Sequence, residues 1–230
     1  MTEQSLLRNE VRDAGEGEVD IRQAKITAAR NFIERLPKKN ILFAGVSGSV
    51  SYQPEAEDDI DIFLITKTNK LWSELLKTFI ARRLFGGRDI CVSLAFDHKY
   101  ALTYFQEEIS GLPLRDSVHV VCIYGDEYYH SLLLRSRKVR EAFPDAVGED
   151  KVSTHVDAVS GSRMGVMEGC CFFLLSCWQE LKSLYSNSRI KHERNQDDRF
   201  ETMIGIHRFY LESEKYRRMK RLLTEGEMRR

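Results

Sequence analysis

Asp59 and Asp61 stand one residue apart in the run Asp59-Ile60-Asp61-Ile62-Phe63-Leu64-Ile65. The apolar surroundings read as a strand. Side chains alternate across a strand, so the two carboxylates share one face while Ile60 and Ile62 point to the other, into the core. Like charges on one face repel, and a divalent cation is the readiest compensation. Mg²⁺ takes hard oxygen ligands, commonly one or two carboxylates together with substrate phosphates. Gly48-Ser49 lies upstream, with Asp59 eleven positions after Gly48, behind the apolar run 41–46. Glycine lets a backbone approach a ligand closely, and a serine hydroxyl with nearby N–H groups can hold phosphate oxygens. Either feature alone is commonplace: D-x-D on a solvated strand edge means little. Joined in the order strand, Gly-Ser turn, D-x-D strand, they describe a site for a metal and a triphosphate.

The elements that must hold these residues follow from periodicity. Residues 21–36 read as a helix, with Ile26, Ala29, Ile33 and Leu36 on one face and Pro37 after its end. Residues 71–85 form a second helix closed by Gly86-Gly87. Residues 89–96 form a third strand, on which Asp89, Cys91, Ser93 and Ala95 alternate with Ile90, Val92, Leu94 and Phe96. A short helix over 98–109, a breaker at Gly111-Leu112-Pro113, a fourth strand over 118–124 (helical in its first half as the alternative) and a helix over 127–143 complete this half. From residue 156 the pattern turns helical. The apolar run 164–178 is too short for the roughly 20 residues of a membrane span and contains Glu168, so it reads as a buried core helix. A last helix over 200–223, with Met203, Ile206, Phe209 and Tyr210 on one side, leads into a basic tail. The fold class is therefore α+β: a small mixed sheet of about four strands in a domain over 21–150, then an all-helical C-terminal domain over 151–230.

The apolar strand, the Gly48-Ser49 turn and the Asp59-Ile60-Asp61-Ile62 strand resemble the polymerase-beta-type nucleotidyltransferase superfamily. The resemblance is specific over about residues 39–96. A looser one, through Ile123-Tyr124-Gly125-Asp126 and the later helices, extends to a poorly characterised bacterial and archaeal branch. Family members often carry a further glycine soon after the Gly-Ser pair; this chain has Tyr52-Gln53-Pro54-Glu55 there. The resemblance implies transfer of a nucleoside monophosphate from a nucleoside triphosphate to a hydroxyl acceptor, with Mg²⁺ (or Mn²⁺) as cofactor. Asp59 and Asp61 would be metal ligands and catalytic residues, and Gly48 and Ser49 would hold the triphosphate. The acceptor could be a small molecule, a nucleic-acid end or a protein hydroxyl. A third carboxylate from a neighbouring strand usually completes the metal site: Asp89 is the candidate and Asp97 the rival, while a strand that turns Ser93 to the metal supplies no strong third ligand. The alternative is a nucleotide-binding or regulatory module that keeps this fold without turnover.

Equal numbers of basic and acidic residues, 35 each, lean away from a long nucleic-acid substrate. Five cysteines without a C-x-x-C pair argue for reduced thiols in a cytoplasmic protein and against a zinc site. The polar N-terminus carries no signal peptide, and no membrane partner is expected. The six histidines show no metal spacing, and His119 and Cys91 read as core residues.

Overall fold

In a computed structural model of the chain, residues 20–52, 55–87, 89–109, 111–144, 164–190 and 202–211 are described. Helix α1 (20–34) buries Ile26, Ala29, Phe32 and Ile33, the three-and-four spacing of a single helical face. Past Pro37, a 3₁₀ turn (Lys38–Asn40) feeds β1 (Ile41–Ser47), and a single helical turn, α2 (Ser49–Tyr52), precedes β2 (Ile60–Thr66). Helix α3 (Leu71–Leu84) crosses from β2 to β3 (Ile90–Asp97). Its end has the left-handed geometry expected at Gly86: φ is 74°, and the Gly87 N–H donates back to the Arg82 carbonyl.

Helix α4 (His98–Thr103) runs into a π-helical turn (Tyr104–Glu108), followed by α5 (Gly111–His119), β4 (Val121–Tyr124), α6 (Asp126–Arg135) and α7 (Arg137–Ala142). Helix α8 (Val166–Ile190) and the hairpin β5 (Thr202–Gly205) and β6 (Arg208–Leu211) follow.

The fold is α+β, built on one six-stranded mixed sheet in the order β4-β1-β2-β3-β6-β5. Among the described strands only the β2–β3 pair is parallel. A parallel pair needs a crossover connection, and α3 supplies it. Helices cover both faces. On one, Ile60, Ile62 and Leu64 of β2 pack with α1, α3 and residues Cys171 and Leu175 of α8. On the other, Phe43, Phe63, Ile65 and Phe96 pack with α4 to α7, and the Phe43 and Tyr129 rings stack 4.2 Å apart. Asp61 lies between Ile60 and Ile62 and so belongs to this second face.

Five expectations are corrected. The sheet has six strands rather than four. The helix expected over 200–223 is a hairpin over 202–211, while 212–223 and the basic tail lie outside the described residues. The outer edge of β3 offers unpaired backbone groups, and β6 satisfies them in the register Leu94↔Tyr210 and Phe96↔Arg208. This seats Phe209 in the core beside Trp72 and Phe79. An all-helical C-terminal part is thus not what the described residues form. Gly111-Leu112-Pro113 opens a helix instead of breaking one, because the N–H groups of a first turn have no intrahelical acceptor and proline loses nothing there. The helix expected over 127–143 divides at Ser136, which is extended and accepts the Val139 N–H on its hydroxyl as the cap of α7.

Glu168, the acid inside the apolar run, has a structural task. It is buried, and its two carboxylate oxygens accept the N–H groups of Trp72 (2.6 Å) and Ser73 (3.1 Å). Lys70 offers α3 no side-chain cap, so α8 supplies one across 95 residues of sequence. The carboxylate also opposes the positive end of the α3 dipole. Glu168→Gln keeps one acceptor and loses the charge, and should cost about 1 kcal/mol of stability; Glu168→Ala leaves both N–H groups buried without a partner and should cost about 2–3 kcal/mol. Urea unfolding midpoints in the order wild type, Gln, Ala check this, and three equal midpoints would remove the cap from the account.

Candidate functional site

The C-terminal end of β1 and the N-terminal ends of β2, β3 and β4 meet at one end of the sheet. There the register sets Ser47 beside Asp61 and Asp61 beside Cys91. Paired residues of neighbouring strands point to the same face, so Ser47, Asp61 and Cys91 form a row across three strands. The row lies one step beyond the Gly45–Phe63 pair, where the aromatic packing of that face begins. Asp59 precedes β2 and is exposed.

Gly48 has φ 68°, a left-handed conformation that side chains other than glycine rarely adopt. A Cβ at Gly48 would lie 2.6 Å from Asp61 Oδ2, so the Asp61 carboxylate rests against the glycine backbone. Ser49 opens α2 and is half-buried. The turn is braced: the Ser51 hydroxyl and N–H both donate to the Gly48 carbonyl, and Arg22 of α1 donates to the Ser51 carbonyl at 2.7 Å. Lys25 of α1 donates to the carbonyls of Glu55 and Asp58, which ties the approach to β2 down. Helix α1 therefore holds the loop that presents both aspartates.

Burial pushes the Asp61 carboxyl up to about 6, the charges of Asp59 and Asp58 add to the rise, and a hydrogen bond with the Ser93 side chain opposes it. Repulsion between the two carboxylates contributes, but desolvation is the larger part. The participation of Asp58 was not anticipated, although Asp58-Asp59-x-Asp61 is visible as a cluster of like charge.

The third strand departs from simple alternation. Ile62 pairs with Val92 but Phe63 pairs with Leu94, so Ser93 is an extra residue on β3. Cys91 and Ser93 face Asp61; beyond the irregularity it is Leu94 and Phe96 that share this face, and Ala95 turns to the other core. The expected grouping of Ser93 with Ala95 is corrected accordingly. The carboxylate candidates lie outside the row. Asp89 is exposed, precedes β3 and accepts the Ile60 N–H on its backbone carbonyl at 2.7 Å. Asp97 pairs with Thr66 at the opposite end of the strands, five residues and about 17 Å along the strands from Asp61 at 3.3 Å per residue. It is fully buried there, where it accepts from the Tyr100 and Asn69 N–H groups and contacts His207 Nδ1 at 2.7 Å. Asp97 thus caps α4 and fastens the β5–β6 turn.

Helix α8 packs with α3 on the face of the sheet opposite Asp61. Among the described residues no three metal-ligating side chains cluster, and no helix is long and apolar enough to cross a membrane. The donor set at the strand end is two carboxylates and serine hydroxyls. That suits a hard cation which completes its shell with water and phosphate oxygens, and it does not suit one caged by protein alone. Comparison of the chain with protein-family models, with curated proteins and with solved structures finds no match.

A carboxyl held near 6 in the fold, against 3.8 ordinarily, binds its proton more tightly folded than unfolded. Its contribution to stability is present below about pH 4 and is lost as pH rises to about 6. Asp61→Asn removes that loss. The variant should match wild type near pH 4 and exceed it by about 2–3 kcal/mol at pH 7. Denaturant unfolding of both proteins across this range checks it; a constant difference at every pH would contradict the assignment.

Proposed function

We propose that the chain is a Mg²⁺-dependent nucleotidyltransferase that moves a nucleoside monophosphate from a nucleoside triphosphate to a hydroxyl acceptor. The observation that carries the reading is the contact between the Gly48 backbone and the Asp61 carboxylate at the strand end where Asp59 also lies. A phosphate chain laid on Gly48 would meet no side chain from that residue, and a cation shared by Asp59 and Asp61 would neutralise both it and them. Mn²⁺ would serve in the same place.

In this reading Asp61 fixes the geometry of the α-phosphate, with its own rotamer held by Ser93. Asp59, nearer to solvent, would reach the outer phosphates. Gly48 admits the chain, and the Ser49 hydroxyl donates to it. The acceptor oxygen forms a bond to the α-phosphorus, the bond to the β-phosphate oxygen breaks in line, pyrophosphate leaves and the acceptor proton passes to solvent. The cation, when bound, supplies charge neutralisation of the entering and leaving oxygens. Positioning and electrostatics account for the rate in such a transfer.

A second reading, a nucleotide-binding or regulatory module without turnover, is favoured by one observation. Cys91 and Ser93 occupy the positions on β3 that face Asp61, and neither is a carboxylate. A weaker base for the acceptor hydroxyl would follow.

Titration calorimetry with Mg²⁺ and a non-hydrolysable triphosphate tests the site common to both readings. Asp61→Asn and Asp59→Asn should each weaken binding at least about tenfold, or about 1.4 kcal/mol. Gly48→Val should abolish it, because a side chain there runs into the Asp61 carboxylate and strains the left-handed turn. Because Asp61→Asn is expected to stabilise the fold at pH 7, weakened binding cannot be ascribed to unfolding. Unchanged affinity and metal dependence in both Asn variants would sink the site. Radiolabelled triphosphates offered with Mg²⁺ or Mn²⁺ to protein, RNA and small acceptors then separate the readings: label transfer marks the enzyme, and binding without transfer marks the module.

A further inference from the structure

Helix α8 is apolar on two sides. One side, with Glu168, Cys171 and Leu175 buried, belongs to the contact with α3. The other faces outward: Val166, Met167, Phe173, Leu174, Trp178 and Leu181 are between 62% and 87% exposed. Their order is not random. Met167, Cys170, Leu174, Cys177 and Leu181 follow one another at spacings of three and four, the a and d positions of a heptad. Cys170 is exposed and Cys177 half-buried. Val166 and Phe173 flank this stripe on one side and Trp178 on the other. A helix that is apolar well beyond the face it packs on its own sheet is built to be buried there too.

We propose that this outward stripe is a self-association seam, and that its occupant is α8 of a second copy of the chain, packed by knobs into holes. Three observations point to a copy. The period is that of a helix–helix seam rather than of a single pocket. The seam positions carry no charge, so the stripe meets itself across a two-fold axis without like-charge repulsion. The six large side chains expose roughly 700–800 Å², close to the about 800 Å² that each partner buries in a stable dimer. The stripe lies on an exposed flank of α8, which covers one face of the sheet, and Asp61 lies on the other face. Pairing would therefore leave the strand-end site open in both copies.

Sedimentation of the full chain across a dilution series tests the seam. Wild type should sediment at twice the monomer mass at the upper concentrations. Leu174→Arg, at a site exposed in the monomer, should weaken self-association at least tenfold while keeping the wild-type far-ultraviolet circular dichroism. A wild-type protein that is monomeric throughout overturns the proposal, whether another segment of the chain or a different protein covers the stripe. A dimer indifferent to Leu174→Arg overturns it as well. Should the variant fail to fold, the decision passes to mild oxidation of the wild type. A covalent dimer lost in Cys170→Ser supports the seam, with Cys170–Cys170 marking a parallel and Cys170–Cys177 an antiparallel pair; the absence of a Cys170-dependent dimer overturns it.

Discussion

The Asp61 carboxylate lies against the backbone of Gly48, and most of the architecture around the strand end follows from making that contact possible. A carboxylate partly withdrawn from water is costly, so it must be supported. Ser93 gives it a hydrogen bond, and Gly48, in a conformation that excludes other side chains, leaves it room. The glycine in turn is held by the Ser51 bonds to its carbonyl, that turn by Arg22 of α1, and the approach to β2 by Lys25 of α1. Helix α1 is anchored by Ile26, Ala29, Phe32 and Ile33 in the core of the opposite face. A half-buried carboxylate is thus connected to the hydrophobic core through a chain of short contacts. The proposed nucleotide site gains its preorganisation from this support.

The two ends of β3 divide the labour. At its start an extra residue turns Ser93 toward Asp61, and a hydroxyl stands where a carboxylate was sought. At its end the carboxylate that does exist, Asp97, is fully buried and its acceptor capacity is taken by Tyr100, Asn69 and His207. These bonds, with that from the Trp72 indole to the Ile206 carbonyl, fasten the β5–β6 hairpin to the sheet. Helix α8 is fastened on the same logic through Glu168. Late parts of the chain therefore join the early ones by placing a polar group where an earlier element leaves a donor or acceptor unsatisfied, as burial requires.

Much of the sheet and its flanking helices was legible in the sequence because local periodicity determines them. The faces of α1 and α3, the glycine end of α3 and the strands around Asp59-x-Asp61 all follow from the spacing of apolar residues and from the special conformations of glycine and proline. The shared face of Asp61 and Phe63 is likewise a property of any extended chain. Residues 202–211 show the limit of such reading. Met203, Ile206, Phe209 and Tyr210 fit a helical face, yet the unpaired edge of β3 makes a strand the better solution, and no local pattern reports that edge.

By itself, then, the sequence determined the two carboxylates one residue apart, the glycine that leaves room for the Asp61 carboxylate, and the apolar strands that hold both. Tertiary structure alone decided which residues face them. A one-residue irregularity on β3 exchanged the face of everything after Ser93, and the parallel register put Cys91, not Asp89, beside Asp61. It also decided that α8 covers the other face of the sheet. Alternation is a property of each strand taken singly, whereas register and layer order are settled by pairing and packing between strands far apart in sequence.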